Sequence, residues 1–332
     1  MNKRMQALAY DPGGNRFTIE LQPVPAPGEY DVLVRVLACG LNPVDSKIHH
    51  WNTVAPGMNL HWVTGLDVSG EIVALGAKVE GWQPGDRVLY HGDMFRPHGG
   101  FAEFALHDSR TLSRHPHVSP AVAAATPCAG WTAWRALVDK LRLTARDSLF
   151  IAGGAGGVGG FAIQIARHLG LETVITTCSA ANADYVAALG ASHVIDYQKE
   201  DVRETILRIT QGQGVSRALD TVGGDIDIQA ASVLGFEGEL VEIVRVARPE
   251  RYPDPFSKGL SFHQFSLGSG HRHGEAGRET LLRAATAMND LLEQGKIRVE
   301  ALTEIELSQV GEALLTMRQQ RTRGKIVMTG SA

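Results

Sequence analysis

The chain has 332 residues, of which 44% are hydrophobic and 20% are charged, and its formal net charge is −4. This length predicts two domains of ordinary size, and the mild negative charge argues against nucleic acid or an anionic membrane as a partner. No stretch reaches the roughly 18 apolar residues of a membrane span, so a cytoplasmic protein is expected. Three widely spaced cysteines, Cys39, Cys128 and Cys178, favour reduced thiols over disulfides.

The first 124 residues predict short strands separated by turns. Apolar and β-branched runs recur at short intervals, and proline and glycine residues stand between them. The predicted strands cover residues 18–21, 31–38, 68–75, 87–89 and 101–106. This pattern is typical of an irregular β-barrel.

From about residue 127 onward, strands and helices alternate, which predicts a parallel sheet with helices on both faces. The predicted strands are 148–152, 172–177, 193–195, 217–221, 239–244 and 261–265, and the predicted helices are 180–189, 202–210, 225–231 and 275–293. The tail adds a strand at 303–307, a helix at 308–319 and a strand at 325–328. The predicted fold class is α/β, with a doubly wound parallel sheet of the Rossmann type following the β-rich part.

A glycine-rich run lies between a predicted strand and a helical pattern that starts near residue 161. It reads Gly154-Ala155-Gly156-Gly157-Val158-Gly159. Gly154 is expected to permit a tight turn, Gly156 to let a pyrophosphate approach the backbone, and Gly159 to bring the helix close to the strand. The amides at the start of the helix then attract phosphate. The run predicts a dinucleotide site, with an ordinary glycine-rich loop as the alternative.

The end of the next strand bears on the choice of cofactor. NAD-specific sites place an Asp or Glu there, which accepts hydrogen bonds from the ribose hydroxyls and repels a 2′-phosphate. Here the strand ends in Thr177-Cys178-Ser179, with no acidic residue before Asp184. The neutral hydroxyls of Thr177 and Ser179 therefore favour NADP(H). Alternatively, these hydroxyls cap the following helix, and both roles are compatible.

Several motifs occur in a fixed order along nearly the whole chain. They lie at residues 40–45, 65–70, 130–134, the glycine-rich run, 189–191, 194–197, 220–224 and 324–327. Together they resemble the medium-chain dehydrogenase/reductase superfamily, and within it the zinc-independent quinone oxidoreductase branch. The resemblance implies a GroES-like barrel formed by residues 1–125 and 295–332, a Rossmann domain over residues 126–294, and a homodimer.

The resemblance also implies roles for individual residues. Asn42 matches the asparagine that lies beside the nicotinamide and the substrate carbonyl, and Thr132 matches the threonine that touches the nicotinamide. Tyr197 matches a tyrosine near the adenosine phosphate. Gly223 and Gly224 match the loop against the nicotinamide ribose.

At other positions the implied roles are weaker. Asn182 replaces the family's lysine for the 2′-phosphate, which weakens the case for NADP. Lys325 is a basic residue that could take its place, with a solvated strand edge as the alternative. Asp45 and Lys47 are candidates for polar roles at the active site, with a salt-bridged turn as the alternative.

The positions that hold catalytic zinc in related enzymes are altered in this sequence. Those enzymes use a Cys, a His followed by Glu, and a second Cys. Here the matching residues are Asn42, Leu66 with Asp67, and Cys128, so no metal is expected. Without a Lewis acid, hydride transfer from NADPH to quinones or α,β-unsaturated carbonyl compounds is favoured. Asn42 would donate to the substrate oxygen and Thr132 would hold the nicotinamide, whereas no general acid can be named.

Two other functions stay open at this point. One is a zinc-dependent alcohol dehydrogenase with irregular ligands around Asp67 and Cys128. The other is a non-catalytic NADPH-binding protein or an RNA-binding protein, because a fold does not fix a function. The favoured function implies a small-molecule substrate, with neither nucleic acid nor membrane as a partner.

Overall fold

The computed structural model describes residues 3–11, 13–53, 58, 61–319 and 322–330. The chain forms two compact units. The first comprises Met1–Trp131 together with Leu267–Ala332, and the second comprises Thr132–Ser266. Within the described residues, no helix combines the length and the apolar character needed to cross a bilayer.

The N-terminal part of the first unit consists mainly of strands. Its elements are β1 (Arg4–Asp11), β2 (Arg16–Pro23), β3 (Asp31–Leu41), α1 (Pro43–Ser46), β4 (Trp62–Val63), β5 (Asp67–Leu75), β6 (Arg87–His91), β7 (Phe104–Asp108), β8 (Ser113–Arg114) and α2 (Pro120–Ala124). The predicted strands are all present in this region, while the sequence analysis missed β1, β4 and β8.

The second unit alternates helices and strands, as predicted. Its elements are α3 (Thr132–Trp134), β9 (Ser148–Ala152), α4 (Gly157–His168), β10 (Thr173–Cys178), α5 (Ala183–Ala188), β11 (His193–Asp196), α6 (Val202–Ile209), β12 (Val215–Asp220), α7 (Ile226–Ser232), β13 (Leu234–Glu242) and β14 (Ser261–Gln264). The strand order is β11-β10-β9-β12-β13-β14, and every pairing is parallel.

This strand order places a switch point at β9. The chain proceeds from β9 to β10 and β11 on one side and then continues with β12 on the other. Because parallel crossovers are right-handed, the two halves carry their helices on opposite faces of the sheet. Ligands of such sheets bind at the carboxyl ends of the strands beside the switch point, which is where the glycine-rich run follows β9.

The C-terminal part returns to the first unit with α8 (Gly274–Glu293), β15 (Leu302–Ile305), α9 (Leu307–Met317) and β16 (Lys325–Thr329). One sheet of this unit has the order β2-β1-β4. The other has the order β15-β16-β3-β5-β6-β8, with β7 also paired to β3. β16 runs antiparallel to β3, with Val327 opposite Gly40. The last strand therefore completes a sheet that begins near residue 31.

Helix α8 packs with the first unit. The Asn289 side-chain amide donates to the Arg114 carbonyl at 3.0 Å, and the Glu293 carboxylate accepts from the His117 amide at 2.8 Å. The predicted domain limits placed this helix in the second domain, whereas its contacts place it in the first unit. As limits of independently folding domains, 1–125 with 295–332 and 126–294 stay a prediction.

Candidate functional site

The glycine-rich run forms a tight connection between β9 and α4. The residue of this turn with a left-handed backbone is Gly153, with φ +83°. The sequence analysis expected Gly154 to permit the turn. A Cβ on Gly154 would lie 2.2 Å from Thr176 Oγ1, and one on Gly159 would lie 2.2 Å from the Gly153 carbonyl oxygen. These two glycines therefore allow the turn to pack against β10 and the helix to approach the turn.

Gly156 has a different environment. It is the N-cap of α4, so Gly157 and Val158 form the first helical positions. A Cβ on Gly156 would meet only the Gly153 carbonyl oxygen, at 3.5 Å. No described protein atom requires glycine at this position, which is what a close approach by a phosphate group predicts.

Thr177 holds the turn in place from the end of β10. Its hydroxyl accepts from the Gly153 amide at 3.1 Å, and its carbonyl accepts from the Gly154 amide at 3.0 Å. Ser179 occupies the N-cap position of the short 3₁₀ turn that follows, but its hydroxyl makes no capping hydrogen bond and instead accepts from the Asn182 side-chain amide at 3.3 Å. Thr177 therefore lies beside the glycine turn, whereas neither hydroxyl caps the following helix.

Tyr197 follows β11, the strand next to β10. Cys178 lies opposite Asp196 in the parallel register, so Tyr197 comes directly after the paired ends of the two strands. Its side chain is 56% exposed. Lys199, which the sequence analysis did not single out, lies two residues further on with its ammonium 3.8 Å from the Asp196 carboxylate.

The loop after β12 contains two consecutive left-handed glycines. Gly223 has φ +83° and Gly224 has φ +69°. Asp220, at the end of β12, accepts from the Gly223 amide at 3.0 Å. The guanidinium groups of Arg245 and Arg248 donate to the Gly224 carbonyl at 2.9 and 2.7 Å. The loop is therefore fixed from the ends of two strands.

Arg248 is itself fixed by a buried carboxylate. Its guanidinium donates to both oxygens of Asp227, which is fully buried and also accepts from the Tyr252 hydroxyl at 3.2 Å. Asp225 accepts from the same guanidinium at 2.9 Å but is 71% exposed.

Asp227→Asn is expected to lower the melting temperature by several degrees and to weaken nicotinamide-nucleotide binding, because it leaves Arg248 without its buried partner. Asp225→Asn is the matched control and is expected to change little, since exposed ion pairs contribute little. Thermal melts and calorimetric titration check both variants. Equal effects of the two substitutions would contradict the conclusion that the buried Asp227 carboxylate fixes Arg248.

Asp220 and Glu242 form a buried carboxyl pair at the ends of β12 and β13. They are opposite each other in the strand register, and both are fully buried. Asp220 Oδ2 and Glu242 Oε2 have no hydrogen-bond partner among the described residues other than each other's carboxyl group. Burial, followed by the hydrogen bond and charge of Asp220, raises the pKa of Glu242 to about 8. A proton held by Glu242 therefore satisfies both groups.

This pair predicts a dependence of stability on pH. Since the pKa of Glu242 rises from 4.5 to about 8 in the folded state, the folded chain binds more protons than the unfolded chain between these values, and stability falls as pH increases through that window. Glu242→Gln is expected to flatten the fall and to melt several degrees above the parent chain at pH 9. Melts from pH 5 to pH 9 test this, with exposed Glu172→Gln as the control, and a Glu242→Gln profile parallel to the parent's would refute it.

The first unit contains a buried network centred on Asp67, the first residue of β5. Asp67 Oδ1 lies 2.7 Å from His91 Nδ1, and Oδ2 accepts from the Asn42 side-chain amide and from the Cys128 backbone amide, each at 2.8 Å. Asp67, His91 and Asn42 are all buried. The carboxylate is therefore saturated by donors from three other segments of the chain.

Lys325 extends this network and corrects two expectations. Its ammonium donates to Asn42 Oδ1 and, at 3.1 Å, to the Leu41 carbonyl. Lys325 is buried, so it is neither a solvated edge nor a residue free to bind a 2′-phosphate. Asn42 uses its oxygen on Lys325 and one amide hydrogen on Asp67, and its side-chain nitrogen lies 3.4 Å from the Gly40 carbonyl oxygen. It therefore orients the network, and its contact with a substrate oxygen stays a prediction.

Asp45 and Lys47 are separated by burial. Asp45 is fully buried. It accepts from the Asn42 backbone amide at 3.0 Å, the Thr64 hydroxyl at 2.8 Å and the Gly65 backbone amide at 3.2 Å. Burial raises the pKa of Asp45 to about 6. Lys47 is exposed and is not its salt-bridge partner. Asp45 therefore fixes two loops, and the salt-bridged turn considered for this pair is wrong.

Thr132 lies in the second unit, buried at the start of α3, with π-helical turns at Pro127–Trp131 and Arg135–Lys140 on either side. Its contact with a nicotinamide stays a prediction. The sequence analysis missed His91 and the buried role of Lys325. A histidine that ends a strand gives no distinctive signal without the fold.

Two family models match the chain. Residues 28–117 match an alcohol dehydrogenase GroES-like domain, and residues 189–328 match a zinc-binding dehydrogenase model. A crystal structure of a quinone oxidoreductase from Coxiella burnetii has the same fold, with a TM-score of 0.85 and 27% identity over 99% of this chain and 100% of that one. The chain belongs to the medium-chain dehydrogenase/reductase superfamily. This confirms the predicted fold class, including the GroES-like part.

Two curated relatives place this member of the superfamily near the quinone oxidoreductases. It is 36% identical over 208 residues to a chloroplastic quinone-oxidoreductase of Triphysaria versicolor, covering 59% of this chain and 62% of the relative. It is 32% identical over 248 residues to a 2-methylene-furan-3-one reductase of Solanum lycopersicum, covering 69% of this chain and 63% of the relative. The alignments thus span less than two thirds of either relative.

The zinc named by one matched model does not fit the arrangement of the side chains. Within the described ranges, Asp67, His91 and Cys128 offer ligand atoms within 4.8 Å of one another. However, His91 Nδ1 and Asp67 Oδ1 are 2.7 Å apart, whereas two tetrahedral ligands of one zinc ion lie about 3.3 Å apart. The arrangement is that of a hydrogen-bonded network.

Proposed function

We propose that this chain is an NADPH-dependent reductase that transfers hydride to quinones or α,β-unsaturated carbonyl compounds without a metal. The observation that carries the proposal is the unobstructed Gly156 at the start of α4, beside the switch point of the parallel sheet. In an oxidoreductase of this superfamily, such a helix start suits the pyrophosphate of a dinucleotide.

Three parts of the second unit would hold the cofactor. The amides at the start of α4, near Gly157 and Val158, bind the pyrophosphate. The left-handed loop at Gly223 and Gly224 lies against the nicotinamide ribose, and Thr132 orients the ring. When bound, NADPH supplies the hydride. Fixing the acceptor near it provides much of the catalysis, because orientation removes an entropic barrier.

The preference for NADPH rests on the end of β10. Thr177 and Ser179 offer hydroxyls there, and β10 itself ends without a carboxylate that would repel a 2′-phosphate. Lys199, 74% exposed near Tyr197, supplies a positive charge that Asn182 does not. Lys199→Ala is therefore expected to weaken NADPH binding and to leave NADH binding unchanged.

A turnover assay with the purified chain tests the proposal. We expect NADPH oxidation with quinones and with short enones, slower oxidation of NADH, and no change after chelation. One tightly held zinc per chain together with alcohol oxidation lost on chelation would support the zinc-dependent alternative instead. Cofactor binding without turnover on any acceptor would support a non-catalytic role. Sedimentation tests the proposed homodimer.

A further inference from the structure

Reduction of a conjugated C=C bond requires a proton as well as a hydride. Hydride addition at the β-carbon leaves an enolate, and a proton must then reach the α-carbon. The polar residues predicted for this part of the chain cannot supply it. Asn42 is occupied by Lys325 and Asp67, and Asp45 is fully buried and holds backbone and hydroxyl donors.

His91 has the geometry of a proton donor. Its Nδ1 lies 2.7 Å from the buried carboxylate of Asp67, an arrangement that fixes the orientation of the ring. Its Nε2 has no hydrogen-bond partner among the described residues. Among the described residues, some side-chain polar atoms are both inaccessible to solvent and without a hydrogen-bond partner, for example Tyr90 Oη and His98 Nδ1. His91 Nε2 is not one of these inaccessible atoms. Since it also lacks a partner, it reaches the accessible surface.

The backbone leaves space beside this nitrogen. A Cβ added to Gly268 would lie 3.7 Å from His91 Nε2. The His271 ring contacts the backbone of His91: its Nε2 lies 2.8 Å from the His91 carbonyl oxygen. The His91 ring is thus held at Nδ1 and through its backbone, while Nε2 is left for an external group.

We propose that His91 is the catalytic proton donor and that Asp67 is its positioning residue, an inference that rests on the proposed reductase function. When bound, the nicotinamide cofactor would supply a hydride to the β-carbon and be oxidised by two electrons, leaving the substrate as an enolate. The enolate reforms its carbonyl as the α-carbon takes the proton from His91 Nε2. The imidazole then regains a proton from water.

Several charged or titratable groups surround His91. Asp67 binds it directly, and Asp45 and Lys325 belong to the same buried network. The rings of His271 and His107 are also close, with ring centroids 6.5 Å from His91 to His271 and 5.5 Å from His271 to His107. Burial lowers the pKa of His107 well below its usual range, so His107 is neutral and adds no competing charge.

His91→Asn tests the proposal in the full-length chain. With an enone acceptor, kcat is expected to fall by about 10²-fold or more, as for loss of a general acid, while NADPH affinity measured by calorimetry stays the same. In D₂O, deuterium should enter the α-carbon of the product on one face with the parent and on both faces with the variant. His193→Asn, at an exposed histidine of the second unit, should match the parent in every measurement.

A second variant keeps the test decisive if His91→Asn does not fold. Gly268→Ala adds a methyl group beside Nε2 at an ordinary contact distance, so it should melt like the parent but turn over more slowly. If the parent reduces enones and both variants equal it in rate and stereochemistry, the assignment of His91 is wrong. If the parent reduces no acceptor, the proposed function itself fails.

Discussion

Asp67→Asn is expected to destabilise the chain by about 3 kcal/mol, as for other buried charged groups that lose their role as acceptor. The substituted amide keeps one accepting oxygen, so its NH₂ group faces either His91 Nδ1 or the two donors from Asn42 and Cys128 that now meet a carboxylate oxygen. Reductase activity should fall with it, because the His91 ring is no longer oriented.

Urea unfolding measures this loss, with Asp184→Asn on an exposed turn of α5 as the control. The control should unfold at the same urea concentration as the parent. An Asp67→Asn chain that unfolds with the control and keeps full activity would show that the network neither stabilises the first unit nor supports catalysis.

Gly156→Ala and Gly159→Ala are expected to fail in different ways. Gly156 has φ −77°, which alanine adopts readily, and its nearest protein atom is 3.5 Å from the added Cβ. The variant should therefore melt like the parent and lose NADPH affinity by at least about tenfold, because the methyl group occupies the path of the phosphate. Gly159→Ala should lose about 1–3 kcal/mol of stability, because its Cβ would lie 2.2 Å from the Gly153 carbonyl.

Calorimetric titration with NADPH and thermal melts separate the two effects. Gly160→Ala, in the same helix and 3.3 Å from a flexible Leu189 methyl group, is the matched control and should bind normally. Full NADPH affinity in Gly156→Ala would place the cofactor somewhere other than the start of α4.

The second unit was largely predictable because its signals are local. The buried apolar run of β9, the glycines after it and the helical spacing of α4 lie within about twenty consecutive residues. The predicted strand boundaries were less accurate where glycine residues interrupt the apolar pattern of a strand. β13 begins at Leu234 and not near residue 239, since Gly235 and Gly238 interrupt the apolar pattern. β1 was missed because its core positions include Ala7 and Ala9, which have little strand preference.

The network in the first unit was not predictable to the same extent. Asn42 and Asp67 were named from the sequence, but the partners that define their chemistry come from distant segments. Lys325 lies 283 residues from Asn42, and His91 lies 24 residues from Asp67 on another strand. Periodicity and motif spacing carry no information about such pairs, which only the packed sheet brings together. For the same reason the sequence did not show that the Asn42 side chain is shared between Asp67 and Lys325.

The antiparallel pairing of β16 with β3 has a consequence for synthesis of the chain. Val327 and Met328 lie opposite Gly40 and Cys39, so the sheet that contains β3 stays incomplete until β16 has been translated. Contacts so distant in sequence are entropically slow to form. Until β16 has been translated, Asn42 and Asp67 lack the ammonium group of Lys325. The second unit therefore has time to fold first.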